Sequence, residues 1–469
     1  MRLALPAPLP VPLAAPLPAR LAAPLADTTL VGLAAGGLLL LALACALLAP
    51  PLFWLLPTAA TAAAVVFLAY RFTPGFTAAW LLLTSASLEM TASDLLGEPY
   101  FQPTIALVKG IGIGLSVIAV LRYGPRLDLF NPSFAWLAMF AGGLAHGLLP
   151  GLSAGASLRS LIGSVAPFVF GFSKLSRDWA QAIIRSTVWA PLLCVAAGAV
   201  CDIAGIRPLF VNSGGWRLTG LGHPAFLAGV TETAVYACLV ELYRYGRRAD
   251  LLLLGANLLL LVLTGARAPL TVALAVAGVS LLLVRAPAFP ARDRLLLVLA
   301  AAVALPLAAI AVFGLVPTDL SAVRAFEVLT TNLDNLSGRQ LLWPNFEAAA
   351  AASPWVGWGV GAGNVVIPPE GQVARLLQTS AAHNEYLRID VEGGQIGRCL
   401  LVVLMFLWVR GHTARLCPSD RAVMRLAFLA LAVHAFTDNV LISTPACVLF
   451  AFATAVFARG AWECGQMPA

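Results

Sequence analysis

The chain is written in long apolar runs separated by short polar breaks. A helix needs about 20 apolar residues, each rising about 1.5 Å, to cross roughly 30 Å of hydrocarbon. Runs of that kind predict about fourteen spans, within a range of about 12–14, near 28–49, 52–70, 75–93, 103–121, 131–150, 157–173, 180–204, 224–243, 249–266, 268–285, 295–316, 393–409, 422–440 and 442–458. The runs are continuous, without the alternating segments of about ten residues that mark a membrane β-barrel. The expected fold class is therefore all-α, a polytopic integral membrane protein.

The pattern changes at two places. Residues 1–27 carry Pro6, Pro8, Pro10, Pro12, Pro16, Pro18 and Pro24, which is incompatible with the helical core of a signal peptide and reads as a flexible tail. Residues 28–316 form an N-terminal transmembrane bundle, 317–392 one long loop, and 393–469 the C-terminal transmembrane helices with a short tail. The loop contains Trp343, Phe346, Trp355, Trp358, Leu376 and Leu377, too many apolar groups for disorder, so it is expected to fold against the membrane surface. Within it, SGRQLLWPNFEAAAAAS predicts a helix capped by Ser337 and interrupted near Pro344. In PWVGWGVGAGN the glycines Gly357, Gly359, Gly361 and Gly363 alternate; the spacing is wrong for a nucleotide loop and predicts a tight turn where backbone approaches a helix or a ligand.

Composition supports the membrane reading and removes others. Hydrophobic residues make up 60% of the chain, charged residues 11%, and the mean hydropathy is +0.89, which excludes an ordinary soluble protein. The net charge of +7 does not point to nucleic acid, because most basic residues fall in short loops on one side, as in Arg244, Arg247 and Arg248 or Arg410, Arg415, Arg421 and Arg425. By the positive-inside rule that side is cytoplasmic. Both termini are then cytoplasmic and the long loop is periplasmic. The eight cysteines lie mostly inside spans without a CxxC pair and read as small buried hydrophobes.

The basic residues on the outer face need another reason. Arg217, in GGWRLTGLGHP, and Arg267, in the tight hairpin LLTGARAPL, flank spans at the outer membrane boundary. An arginine there snorkels, pairs or binds an anion, and its fork suits phosphate oxygens. A membrane-embedded diphosphate is the fitting anion. On the same face, QTSAAHNEYLRIDVE gathers His383, Asn384, Glu385, Arg388, Asp390 and Glu392. Histidine is able to take a proton from an attacking sugar hydroxyl; Glu385 or Glu392 could orient the ring, and Asn384 and Arg388 are candidates for the acceptor site. His434 and Asp438, four apart, share a predicted helix face as an intramembrane pair or an interhelical hydrogen bond. Glu89, Asp94, Lys109 and His146 could form a polar path. No HExxH, GxSxG or DxD-type motif occurs in the loop, so no catalytic metal is expected.

The segments SGRQLLW, SPWVGWGVGAG and HNEYLRIDVEGGQIG, closing a long outer loop in a polytopic chain, resemble the O-antigen ligase family, which includes O-antigen and exopolysaccharide polymerases. RLTGLGHP and LTGAR resemble its two arginine motifs, with Ala266 where a serine often stands, and VHAFTDNVLISTP resembles its C-terminal segment. The resemblance implies a glycosyltransferase of the bacterial inner membrane, acting on the periplasmic face without a metal or other cofactor and with inversion. Its donor is a glycan on undecaprenyl diphosphate. The acceptor is lipid A core for a ligase, or a second lipid-linked glycan for a polymerase. It further implies His383 as the base that activates the acceptor, and Arg217, Arg267 and Arg339 at the diphosphate. A reading of another class is a lipid-linked sugar transporter or flippase; the chain shows no internal repeat of the kind such proteins carry.

Overall fold

The computed structural model describes residues 36–37, 40, 55–212, 215–285, 290–315, 339–368, 371–377 and 379–463. The expected tail at 1–27, nearly all of the span at 28–49, the loop segment 316–338 with its Ser337 cap, and the side chain of Arg339 lie outside the described residues.

Two compact units divide the chain at residue 73. The first contains α1 (Leu55–Arg71), an apolar helix whose Tyr70 carbonyl accepts from the Thr73 hydroxyl at 3.1 Å. The second begins within α2 (Thr73–Ser85) and continues through α3 (Leu88–Leu96), α4 (Phe101–Tyr123), α5 (Ser133–His146), α6 (Ala154–Val165) and α7 (Arg177–Ile203). A short antiparallel ribbon follows, β1 (Phe210–Asn212) with β2 (Trp216–Leu218), in a register that pairs Val211 with Arg217. Then come α8 (Pro224–Tyr245), α9 (Arg248–Leu263), α10 (Arg267–Leu283), α11 (Ala291–Leu315), α12 (Arg339–Ala352), α13 (Gln372–Leu377), α14 (Glu385–Thr413), α15 (Pro418–His434) and α16 (Thr444–Glu463).

The fold is all-α with the ribbon as its main exception, and the protein is a multi-pass membrane protein. Among the described residues, six helices are long and apolar enough to cross a bilayer, or seven if Ala63–Arg71 and Thr73–Ser85 count as one span. Two other expected spans are broken or short, while α11 runs for 25 residues over the expected span at 295–316. The run at 75–93 splits at Ser87, whose φ of 51° separates α2 from α3. The run at 131–150 forms only the 14 residues of α5 before Gly147 reverses the backbone at φ 112°.

Two helices form the centre. α8 is buried around nearly its whole circumference and packs against α7, α9, α10, α15 and α16; α16 is buried from Thr444 to Ala461. Lipid tails are as apolar as leucine, so such helices associate by close packing of small residues and not by exclusion from water. The sequence of α16 supplies them, with Ala446, Cys447, Ala451, Ala453, Ala455, Ala458 and Gly460 all buried. At one end of this core Arg459 on α16 donates to Glu241 on α8 at 2.6 Å and to Asp420 on α15 at 3.1 Å. The opposite end, at the N-termini of α8 and α16, carries the candidate site.

The loop elements are held by a break in α14. Gly394 has φ 58° and ψ −164°, a conformation open essentially only to glycine, and a Cβ there would lie 2.4 Å from the Trp355 carbonyl carbon. The break frees the carbonyls of Val391 and Glu392, which accept from Trp358 N at 2.8 Å and Gly359 N at 2.9 Å; the freed amide of Gln395 donates to Pro354 O at 2.8 Å. The alternating glycines thus let backbone approach a helix, with Gly357 at φ 72° and no room for a Cβ against Gly393. One expectation is corrected. α12 is helical on both sides of Pro344; the proline denies a donor to the carbonyl of residue 340 without ending the helix. The described cysteines, Cys194, Cys201, Cys238, Cys399, Cys417 and Cys447, are free.

Candidate active site

His383 stands just before α14 in the left-handed region, at φ 47°, a strained setting that histidine tolerates better than most residues. Its neighbours hold it there. Trp343 Nε1 donates to Ala382 O at 2.9 Å, Asn384 caps α14 by accepting from Leu387 N at 3.2 Å, and Glu385 N donates to Ala435 O at 2.8 Å. Tyr386 reaches across to the Ala432 carbonyl at 2.9 Å and packs on Phe436 with ring centroids 4.4 Å apart. The end of the loop is therefore tied to the last turn of α15.

This anchoring brings His383 against Asp438, with Nδ1 3.1 Å from Oδ1, while Nε2 lies 3.3 Å from the Thr379 hydroxyl. Asp438 Oδ1 also accepts from Asn439 N at 2.8 Å. Burial alone would raise the Asp438 pKa, but the hydrogen bond and charge of His383 outweigh it and hold the carboxyl below its ordinary value. An ionised carboxylate only accepts, so whenever the ring is neutral its proton sits on Nδ1 and Nε2 keeps a lone pair.

His383 and Asp438 line a cavity of about 330 Å³, together with the first turns of α8 and α16 and the C-terminal turn of α15. Helix N-termini bring partial positive charge to that end. Ala225, Phe226 and Gly229 come from α8, and Thr444, Pro445 and Ala446 from α16.

The arginines are organised around the next hairpin. Arg217 on β2 donates through Nε to the carbonyl of Thr264 at 2.9 Å, and Thr264 caps α9 three residues before Arg267 opens α10. His223, which the sequence reading did not single out, caps α8 by accepting from Ala225 N at Nδ1, 3.2 Å away. Partial burial and the positive charge of Arg217, joined by Arg207 and His383 and opposed by Asp438, push its pKa down to about 4. The arginine motif and the His383 pair therefore share one electrostatic neighbourhood.

Other expected partners are placed elsewhere. Glu385 and Glu392 do not orient His383; both bind the buried Arg388, Glu392 at 2.8 Å, and the guanidinium lies 5.1 Å from the Trp136 ring centre. Arg388 is only 2% exposed, and the cavity lining does not include it. Asp390 pairs with Arg398 at 2.7 Å. The i,i+4 pairing of His434 with Asp438 is not formed, because α15 ends at His434 and the chain turns; His434 meets Glu232 on α8 at 3.1 Å instead. Glu89, Asp94, Lys109 and His146 make no continuous path: Asp94 pairs with Arg207 at 3.0 Å and His146 packs near Trp358. Among the described residues, no three His, Cys, Asp or Glu side chains converge as a metal site requires. The contributions of Thr379 and Glu232 also escaped the sequence reading; His223 had a signal, being one of five histidines and six residues after Arg217.

Residues 251–404 match the O-antigen ligase family model (Wzy_C). Over these residues, about a third of the chain, the sequence is similar to O-antigen ligases. The matched segment runs from α9 into α14 and includes Arg267 and His383, whereas Arg217, His223 and Asp438 lie outside it and join the domain through the fold. Comparison of the whole sequence with curated proteins finds no match.

Proposed function

We propose that this protein is a membrane glycosyltransferase that moves a glycan from undecaprenyl diphosphate to an acceptor sugar on the periplasmic face, as an O-antigen ligase acting on lipid A core. The observation that carries the reading is the His383–Asp438 pair on the wall of the cavity. In the reaction, Nε2 of His383 takes the proton of the acceptor hydroxyl as that oxygen bonds to the anomeric carbon. The bond from that carbon to the diphosphate breaks on the opposite side, with inversion. Asp438 stabilises the imidazolium that forms, and Arg217 and Arg267 balance the charge of the departing diphosphate, as a divalent cation does elsewhere. Arg339 is assigned to the diphosphate by family resemblance. A positioned base of this kind contributes about 10²–10⁴-fold. The proposed topology has both termini in the cytoplasm of a bacterial inner membrane and about fourteen crossings, the shorter apolar helices included.

The test is transfer by the purified protein, supplied with undecaprenyl diphosphate glycan and either lipid A core or a second lipid-linked glycan. Glycan joined to core lipid, abolished in His383→Ala, is the expected result. Growth of lipid-linked chains without core lipid would make the protein a polymerase. Translocation of the lipid with no new glycosidic bond would make it a flippase.

A further inference from the structure

The cavity has a second polar wall that the chemistry above does not use. Glu89 is fully buried, 0% exposed, and lines the cavity. One carboxylate oxygen, Oε1, accepts from the Thr444 hydroxyl at 2.7 Å; the other, Oε2, makes no hydrogen bond. Lys109 supplies compensating charge nearby and donates to the carbonyls of Gly163 at 3.0 Å and Ile442 at 2.8 Å. Glu232, on the same cavity, is different. Its Oε1 accepts from Tyr236 at 2.7 Å and its Oε2 faces His434 at 3.1 Å.

A buried acceptor left unmatched is costly, and native proteins keep few of them without a purpose. Here Glu89 belongs to the lining of an apolar space walled by Phe101, Ile105, Phe226 and Leu449. Apolar walls with a few convergent polar groups are the usual make-up of a small-molecule site. An ionised Oε2 is completed by a hydrogen-bond donor, and the His383–Asp438 pair proposed to act on a sugar hydroxyl lines the same cavity.

We propose that Glu89 is a substrate-recognition residue, its Oε2 accepting a hydrogen bond from a hydroxyl of the sugar held beside His383. The inference rests on the glycosyl-transfer reading. The hydroxyl belongs to the first sugar of the donor or to the acceptor sugar, and the experiment separates them. Full-length protein in nanodiscs, wild type and Glu89→Gln, is titrated with undecaprenyl diphosphate glycan and with bare undecaprenyl diphosphate, and KM and kcat are measured for the acceptor. Losing a hydrogen bond to a charged group weakens binding by about 10- to 100-fold. A loss of that size for the glycan-bearing lipid, with the bare lipid bound as before, assigns Glu89 to the donor sugar. A matching rise in acceptor KM, with kcat near wild type, assigns it to the acceptor. Unchanged affinities and KM in a variant of wild-type melting temperature overturn the proposal, as does an equal loss for bare and glycan-bearing lipid. If Glu89→Gln does not fold, Glu89→Asp carries the test: the shortened carboxylate is expected to weaken the same substrate by a smaller factor. Binding is read without turnover, so a wild-type protein that forms no glycosidic bond defeats the glycosyl-transfer reading while the donor titration still reports on Glu89.

Discussion

Replacing Asp438 with asparagine removes one charge and preserves the local geometry. Asp438 Oδ1 receives two donors, Asn439 N at 2.8 Å and His383 Nδ1 at 3.1 Å. The backbone N–H of Asn439 demands an acceptor, so the amide oxygen of the new asparagine takes the Oδ1 position and still faces His383. The ring keeps its proton on Nδ1, and only the charge that steadies the imidazolium disappears. Hydrogen bonds to charged groups are worth about 1.5–3 kcal/mol, against about 0.5–1.5 for neutral ones. The difference, about 1–2 kcal/mol, corresponds to a roughly 5- to 30-fold lower kcat at about 1.36 kcal/mol per tenfold. His383→Ala, which removes the proposed base, is expected to cost about 10²–10⁴-fold. Initial rates of glycan transfer at saturating donor and acceptor, with KM determined for each, separate the two variants. Activity of Asp438→Asn equal to wild type would refute the coupling between the residues. A loss as deep as that of His383→Ala would refute the claim that geometry survives.

Three further perturbations address the surrounding framework. Gly394→Ala forces a Cβ to within 2.4 Å of the Trp355 backbone at a conformation reserved for glycine, and is expected to destabilise the protein by at least about 2 kcal/mol, seen as a lower melting temperature. His223→Asn keeps a good helix cap but removes a titrating group. Because the folded pKa is depressed from 6.5 to about 4, the unfolded chain binds the extra proton between those values. Wild-type stability therefore falls as pH drops through that window, and the asparagine variant is expected to show a flatter profile in melting curves. Arg217→Lys loses both the Nε bond to Thr264 and the fork; affinity for undecaprenyl diphosphate is expected to fall by about 10-fold or more, measurable by direct titration.

The helical class was legible because continuous apolar runs admit few alternatives in a bilayer. Where those runs stop being single helices was not, since it depends on backbone breaks such as Ser87 and Gly394 that a hydropathy pattern does not register. The candidate residues show the same division. His383, Arg217 and Arg267 stood out because ionisable groups are scarce and these lie at span ends. Their partners did not. Local spacing suggested Glu385 or Glu392 for His383 and Asp438 for His434, but the first two neutralise Arg388 and the turn after α15 carries Asp438 to His383. Pairing at i,i+4 holds only where a helix continues, and α15 ends at His434.

The break at Gly394 connects the fold to the chemistry. An unbroken α14 would keep its own carbonyls engaged, and the Trp358 and Gly359 amides would have no acceptors at Val391 and Glu392. The glycine-rich segment would then lose the bonds that hold it to the helix. On the other side of the break, Glu385 N and Tyr386 Oη fasten the first turn of α14 to Ala435 and Ala432, close in sequence to Asp438. His383 and Asp438, the proposed base and its orienting carboxylate, are thus positioned by bonds between their own supporting segments, so their contact does not depend on the substrate. Catalysis by positioning requires such prior order, because disorder in a base is an entropy loss charged to the transition state. It follows that a weakened kink acts on transfer through His383 even though Gly394 lies outside the cavity: Gly394→Ala should lower kcat for donor and acceptor alike, with the affinity for bare lipid diphosphate retained.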